Sequence, residues 1–252
     1  MGETRVCMFC GESRKLTGAH IIARNAIRRH LPKLHGPHDR YDTWIGTDGE
    51  HSSTVKRINI DGLDQQVKRA CVRCNGAWMG GIENEIGAHV VNLALGNELT
   101  LSAHEAGRIA VWAGVVSMLR ASQDPGISAV DPADPRWMHA TSQLPPGYVV
   151  RLVHGELLWD FATRHQRFTV PTADGGLVLS HSTMFWIGHA VFLVNHPAME
   201  GIVSRVDRFG DAVFNLSTEG LTWAPRRQVP RSSVVEMTDS FGRIPRGYVA
   251  TT

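Results

Sequence analysis

Long apolar runs are missing from this chain of 252 residues. The longest, near 109–119, is interrupted by Gly114 and Ser117, too short to cross a bilayer core about 30 Å thick. The opening stretch MGETRVCMFCGESRK is polar and has no apolar signal region. The expectation is a soluble, cytoplasmic protein with no membrane partner. Internal repeats and low-complexity tails are absent as well, which sets aside solenoids and disordered arrays. Cysteine is scarce: there are four, and none lies outside two CxxC pairs. Disulfides are unexpected in a chain with no export signal. A redox CxxC would stand alone beside a βαβ pattern, and a second one would be redundant.

Net charge is small, +2, but unevenly spread. Residues 1–74 hold 13 Lys and Arg against 8 Asp and Glu, so +5; the remainder holds 13 against 16, so −3. A basic N-terminal third suits a polyanion partner, and equally a solvated surface. The hydrophobic fraction of 42% is enough for a real core. The length suits one large domain or two small ones.

The two CxxC pairs are Cys7/Cys10 in CMFCG and Cys71/Cys74 in CVRCN. Each presents two thiolates to one tetrahedral ion, so two complete a four-cysteine structural zinc site. Gly11 follows the first turn, where the backbone needs freedom. Such a site is closed: it holds the surrounding chain together and does no chemistry itself.

The chain between and after the pairs reads as mixed helix and strand, an α+β protein. Short strands are expected at 5–10, 15–23 and 53–60, with another at TWIGT inside a His- and Gly-rich loop, 35–51. RNAIRRHLPKL reads as a short helix stopped by Pro32. NGAWMGGIENEIGAHVVNLAL, 75–95, carries Trp78, Ile82, Ile86, Val90 and Leu93 at helical spacing, with Gly96 as its stop. Gly80 and Gly81 weaken that helix and suggest close approach by another backbone, or a frayed first turn. Ser102 to Glu105 is a capping-box signature before a second helix bearing Ile109, Trp112, Val116 and Leu119. DPGISAVDPADP, 124–135, breaks the chain, and the runs after it are β-rich. Three segments follow from this: a zinc-stapled module, 1–97; a helix and linker, 98–135; and a β-rich C-terminal domain, 136–252, in which no motif assigns a task.

CMFCG, then GAHII about ten residues on, then CVRCN opening a helix: this order resembles the HNH endonucleases. These are the His-Me finger or ββα-metal group, and the closest pattern is their zinc-stabilised, four-cysteine subgroup. The resemblance covers about residues 5–95. It implies a treble-clef zinc site stapling a hairpin to a helix, a hairpin histidine acting as general base, and a divalent metal held by a side chain on the first helical turn. His20 then matches the base, and Asn75 matches the ligand of a catalytic Mg or Mn. The implied activity is hydrolysis of phosphodiester bonds in nucleic acid, with DNA the expected substrate. The implied setting is restriction, phage defence or phage recombination, with a second copy of the chain or a defence-system protein as partner.

The chemistry of those two residues is sensible in itself. A neutral imidazole accepts a proton near pH 7, and an amide oxygen is a hard ligand suited to Mg²⁺. Arg24, Arg28 and Arg29, with Lys33, recur at roughly helical spacing after His20 and could grip phosphates, as could Lys68 and Arg69 beside the second knuckle.

The pattern departs from the family in places. Ala19 stands where an acidic metal ligand is usual, Ala23 where Pro is usual, and Gln66 near the position of the middle Asn. Asp61 or Asp64 could supply a carboxylate. His20 could instead be a hydrogen-bonded strand-edge histidine, and Asn75 could merely cap its helix. The alternative function is a non-catalytic, zinc-stabilised module that binds nucleic acid or protein. Trp78 and Trp112, on apolar stripes, are expected in the core.

Overall fold

The structure is a computed structural model. It describes residues 5–22, 26–31, 38–45, 51–58, 65–123, 130–171, 175–196, 213–216, 220–223, 228–230 and 232–233. The architecture is α+β. The first CxxC turn lies between two minimal strands, β1 (Arg5–Val6) and β2 (Ser13–Arg14), which pair with each other. β3 (Leu16–His20) pairs antiparallel with β6 (Gln66–Cys71), and β6 leads directly into the second CxxC turn.

The chain then enters a widened π turn, Cys74–Met79, closed by the Gly80 N–H reaching the Asn75 carbonyl, and continues as α1 (Gly80–Leu95). α1 buries Ile82, Ile86, Val90 and Leu93, the expected stripe, and stops at Gly96 in the left-handed conformation, φ 75°. The close backbone approach expected at Gly80–Gly81 occurs nearly two turns later. A Cβ at Gly87 would lie 2.7 Å from the Ala26 carbonyl oxygen, whereas Gly81 has open space around it. RNAIRRHLPKL contributes a single 3-10 turn, Arg28–His30. Pro32 itself lies outside the described residues, as does the first half of the 124–135 break.

β4 (His38–Ile45) and β5 (His51–Ile58) form an antiparallel pair. The segment expected as loop with a strand at its end is therefore strand for eight residues. β4 also pairs, in parallel, with the far half of β8 (Val149–Pro171), whose near half pairs with β10 (Val213–Asn215). Along its other edge β8 runs antiparallel to β9 (Leu177–Asn195), with register shifts around Leu158. β7 (Leu99–Leu101) pairs with β11 (Leu221–Trp223). These pairings cross the boundaries expected at 97 and 135, because strands from the first third of the chain complete a sheet built from the last.

α2 (Ala103–Ala121) lies on β9. Trp112, 1% exposed, meets Phe185 and Phe192 edge-on, and Ser117 Oγ donates to Thr183 Oγ1 at 2.7 Å. α3 (Ala133–Thr141) turns back to the cysteine turns. Trp78 of the π turn packs between Phe9 and His139, and its indole N–H donates to Ser142 Oγ. One contiguous core results, running from Cys7 and Phe9 through α1 and α2 to β9 and Trp223.

The capping box forms as expected. The Ser102 hydroxyl accepts from the Glu105 backbone N–H, and the Glu105 carboxylate accepts from the Ser102 backbone N–H at 2.8 Å. Ser102→Ala removes one half of this exchange. The expected loss is about 1 kcal/mol of global stability, read from the urea midpoint at constant m-value; an unchanged midpoint would show that α2 is held by packing alone.

Candidate metal centre and the hairpin beside it

The two CxxC turns face each other at the end of β6. The sulphurs of Cys7, Cys10, Cys71 and Cys74 all lie within 4.8 Å of one another. None is joined in a disulfide, and Cys10 Sγ stands 3.9 Å from Cys71 Sγ. A tetrahedral ion with metal–sulphur bonds of about 2.3 Å places its ligand sulphurs about 3.8 Å apart, so the cluster fits such an ion.

Backbone hydrogen bonds close the first turn and fix it against the second. Gly11 takes φ 72° and returns its N–H to the Cys7 carbonyl at 3.0 Å; the Cys71 N–H donates to Cys7 Sγ at 3.3 Å. Met8 N–H donates to the Arg69 carbonyl, locking the first turn onto β6. Cys7, Cys71 and Cys74 are buried. Burial pushes the Cys74 thiol up, as do its thiol neighbours. At Cys71 burial also opposes the thiolate, but the Cys74 backbone N–H and the neighbouring thiols outweigh it and bring the group to about 7. Thiolates packed this closely repel one another, and a divalent ion is what a four-cysteine donor set suits.

Immediately beyond the knuckle, Asn75 does not cap its helix. Its side-chain Nδ2 donates across to Thr17 Oγ1 at 3.3 Å and to the Gly18 carbonyl at 3.4 Å, both on β3. Among the described residues, no donor reaches Asn75 Oδ1. Two residues along, His20 pairs with Gln66 on β6, and the His20 and Gln66 Nε2 atoms are 2.9 Å apart. Gly18 makes room for this contact, since a Cβ there would lie 2.3 Å from Gln66 Oε1. His20, Gln66 and Lys68 thus share the solvent side of the β3–β6 hairpin, while Ala19, Val67 and Ala70 face the core. Ala19 is fully buried, so a carboxylate in its place would point into apolar packing.

The other sequence-predicted residues divide. Arg29 and His30 line a groove against α1. Arg28 lies in the same 3-10 turn. Arg69 is committed to structure, its Nε donating to the Ser122 carbonyl at the end of α2. Arg24, Lys33, Asp61 and Asp64 lie outside the described residues. Trp112 is core as expected, and Trp78 is half-buried against the first CxxC turn and α3. Sequence reasoning placed Gln66 near a vacant family position but did not pair it with His20. The hairpin register, with its irregularity between Thr17 and Ala19, is what brings them opposite each other.

Comparison with protein-family models, with curated proteins and with solved structures finds no match for this chain.

Proposed function

We propose that the chain is a metal-dependent endonuclease of the HNH type, hydrolysing phosphodiester bonds of DNA. In this reading the four cysteines hold structural zinc in a treble-clef arrangement, and the β3–β6 hairpin with the start of α1 forms the ββα-metal unit. The observation that carries the reading is the tie of Asn75 to β3: its amide donates to Thr17 Oγ1 and to the Gly18 carbonyl, two residues before His20, which pairs with Gln66 at the end of the two strands away from the cysteine cluster.

The roles follow from the groups. Gln66 orients the imidazole. Rotation of its amide can set Oε1 against a protonated His20 Nε2, which leaves the lone pair on Nδ1. Nδ1 then takes a proton from water as that water attacks phosphorus. Asn75 is tied to β3 through its Nδ2, so its Oδ1 is held in place as a hard ligand for Mg²⁺ or Mn²⁺. When bound, such an ion neutralises charge developing on the phosphate and the leaving oxygen. The π turn that places Asn75 is anchored by Cys74 on one side and Trp78 on the other, which keeps the ligand on a rigid support.

One observation favours the second reading, a zinc-stabilised binding module without catalysis. Ala19 is buried where the family carries an acidic ligand, so Asn75 is left without a carboxylate neighbour among the described residues.

Cleavage of supercoiled plasmid, branched DNA and single-stranded RNA with Mg²⁺ or Mn²⁺ decides between them. The wild type is expected to cut DNA, and His20→Ala to lose roughly 10²–10⁴-fold in rate while keeping its zinc. Absence of cleavage by the zinc-loaded wild type on every substrate would leave the binding module.

A further inference from the structure

The groove between the Arg28–His30 turn and α1 plays no part in the chemistry above. Its volume is about 350 Å³, within the range of small-ligand sites. Arg29 and His30 form one wall, and the Asn84 and Asn92 side chains, two turns apart on α1, form the other. The floor is Gly87 and Val91. At Gly87 the helix meets the Ala26 carbonyl so closely that no side chain fits, which keeps the floor flat.

The polar lining of this groove is rich in hydrogen-bond donors, from Arg29, His30, Asn84 and Asn92. Arg29 Nε donates to His30 Nε2 at 3.0 Å, so that ring carries its proton on Nδ1. Among the described residues, the two terminal nitrogens of Arg29 have no partner. The two asparagine amides add donors and acceptors. No carboxylate lines the groove among the described residues. Glu85 is turned to α2 and paired with Arg108 and His104. Glu83, next to Asn84 in sequence, does not line the groove, and burial pushes its carboxyl up to about 7, reducing its charge at neutral pH.

We infer that this groove seats one nucleotide unit of a nucleic-acid strand. Arg29 and His30 take its phosphate, and the Asn84 and Asn92 amides take the edge of its base or sugar above the Gly87–Val91 floor. A guanidinium fork matches phosphate oxygens, and asparagine amides match base edges. The inference rests on the nuclease reading and extends it. Asn75 and Asn84 lie nine residues apart on one continuous helix, about 13 Å along its axis. A strand of a few nucleotides is long enough to span that rise, so one whose scissile phosphate lay at Asn75 would have the groove within its reach.

The test is fluorescence anisotropy with a short fluorescein-labelled single-stranded DNA, without added Mg²⁺, over a salt series. A free 5′-mononucleotide serves as competitor. The proteins are the zinc-loaded wild type, Arg29→Ala and Asn84→Asp. Both positions are exposed, and zinc content and circular dichroism confirm that each variant is folded. Arg29→Ala is expected to weaken binding and to lower the slope of log K against log salt by about 1. Asn84→Asp, which sets a like charge against the phosphate, is expected to weaken binding by on the order of tenfold or more.

Wild-type affinity and slope in both variants would overturn the groove, as would absence of DNA binding by the wild type. A mononucleotide that competes as well as unlabelled strand would overturn the assignment to a strand. Cleavage separates the two proposals. Groove variants that bind poorly in a wild type that never cuts would sink the nuclease and keep the groove; a cutting wild type with unaffected groove variants would do the reverse.

Discussion

Stripping the four-cysteine cluster of any bound metal ion is expected to unfold the small unit around it, β1 to β3 with β6. The reason is the smallness of what else holds it. β1 and β2 are two residues each, and the β3–β6 hairpin is five residues against six. Three of the four sulphurs are buried, so an empty cluster would leave thiols and thiolates packed together without a counter-charge. Four-thiolate zinc binding is worth an apparent ~10–16 kcal/mol at neutral pH, and a whole domain has only about 5–15 kcal/mol of net stability. A bound ion would therefore outweigh every other single contribution there. Titration with a chelator, following zinc release by a colorimetric dye alongside far-UV circular dichroism, should show both signals changing together. Cys74→Ser should behave as the stripped protein does from the start. A chelated protein that keeps its spectrum and melting temperature would show that Phe9, Ile21, Ile22 and Ile27 packed on α1 suffice without an ion. Since Asn75 follows Cys74 directly, loss of the metal should also abolish any cleavage.

The parts of the fold that were legible in the sequence are those set by short-range spacing. Two cysteines three apart form one turn wherever they occur, and two such turns find each other because each is incomplete alone. The α1 stripe and its Gly96 stop, and the α2 capping box, depend on neighbours three and four residues away. What was not legible depends on partners far along the chain. β4 reads as a His- and Gly-rich loop because its pairing with β8 lies more than a hundred residues off. The π turn at Cys74–Met79 has no composition signal apart from Gly76 and Gly80. The same division runs through the candidate site. His20 and Asn75 could be named from their places beside the knuckles. The partner of each, Gln66 for His20 and the β3 backbone for Asn75, follows from a hairpin register with a bulge that no local pattern specifies. Ala19 is intelligible only in the folded chain, where its side of β3 is core.

Gly188→Ala is expected to be the most damaging single-methyl substitution in the C-terminal half. Gly188 lies in β9 opposite Leu158, between two register shifts, with φ 58°. A Cβ there would stand 2.1 Å from the carbonyl oxygen of Ala94, in the last turn of α1. Backbone cannot move aside as a side-chain tip can, so helix and strand must separate. The left-handed conformation costs a non-glycine residue about 1–2 kcal/mol, and overpacking adds about 1–3 kcal/mol. Gly175 supplies the control. It has φ 81° but, among the described residues, nothing within 4 Å of its Cβ position, so Gly175→Ala should cost the conformational part alone. Urea unfolding of both variants separates the two terms, and the difference between their midpoints at equal m-value measures the contact with Ala94. Equal losses would mean that α1 shifts without penalty at its C-terminal end. Unequal losses would mean that β9 fixes where α1 ends. Because Asn92 lies within that last turn and a half, the C-terminal half would then help position the groove as well as the helix that carries Asn75.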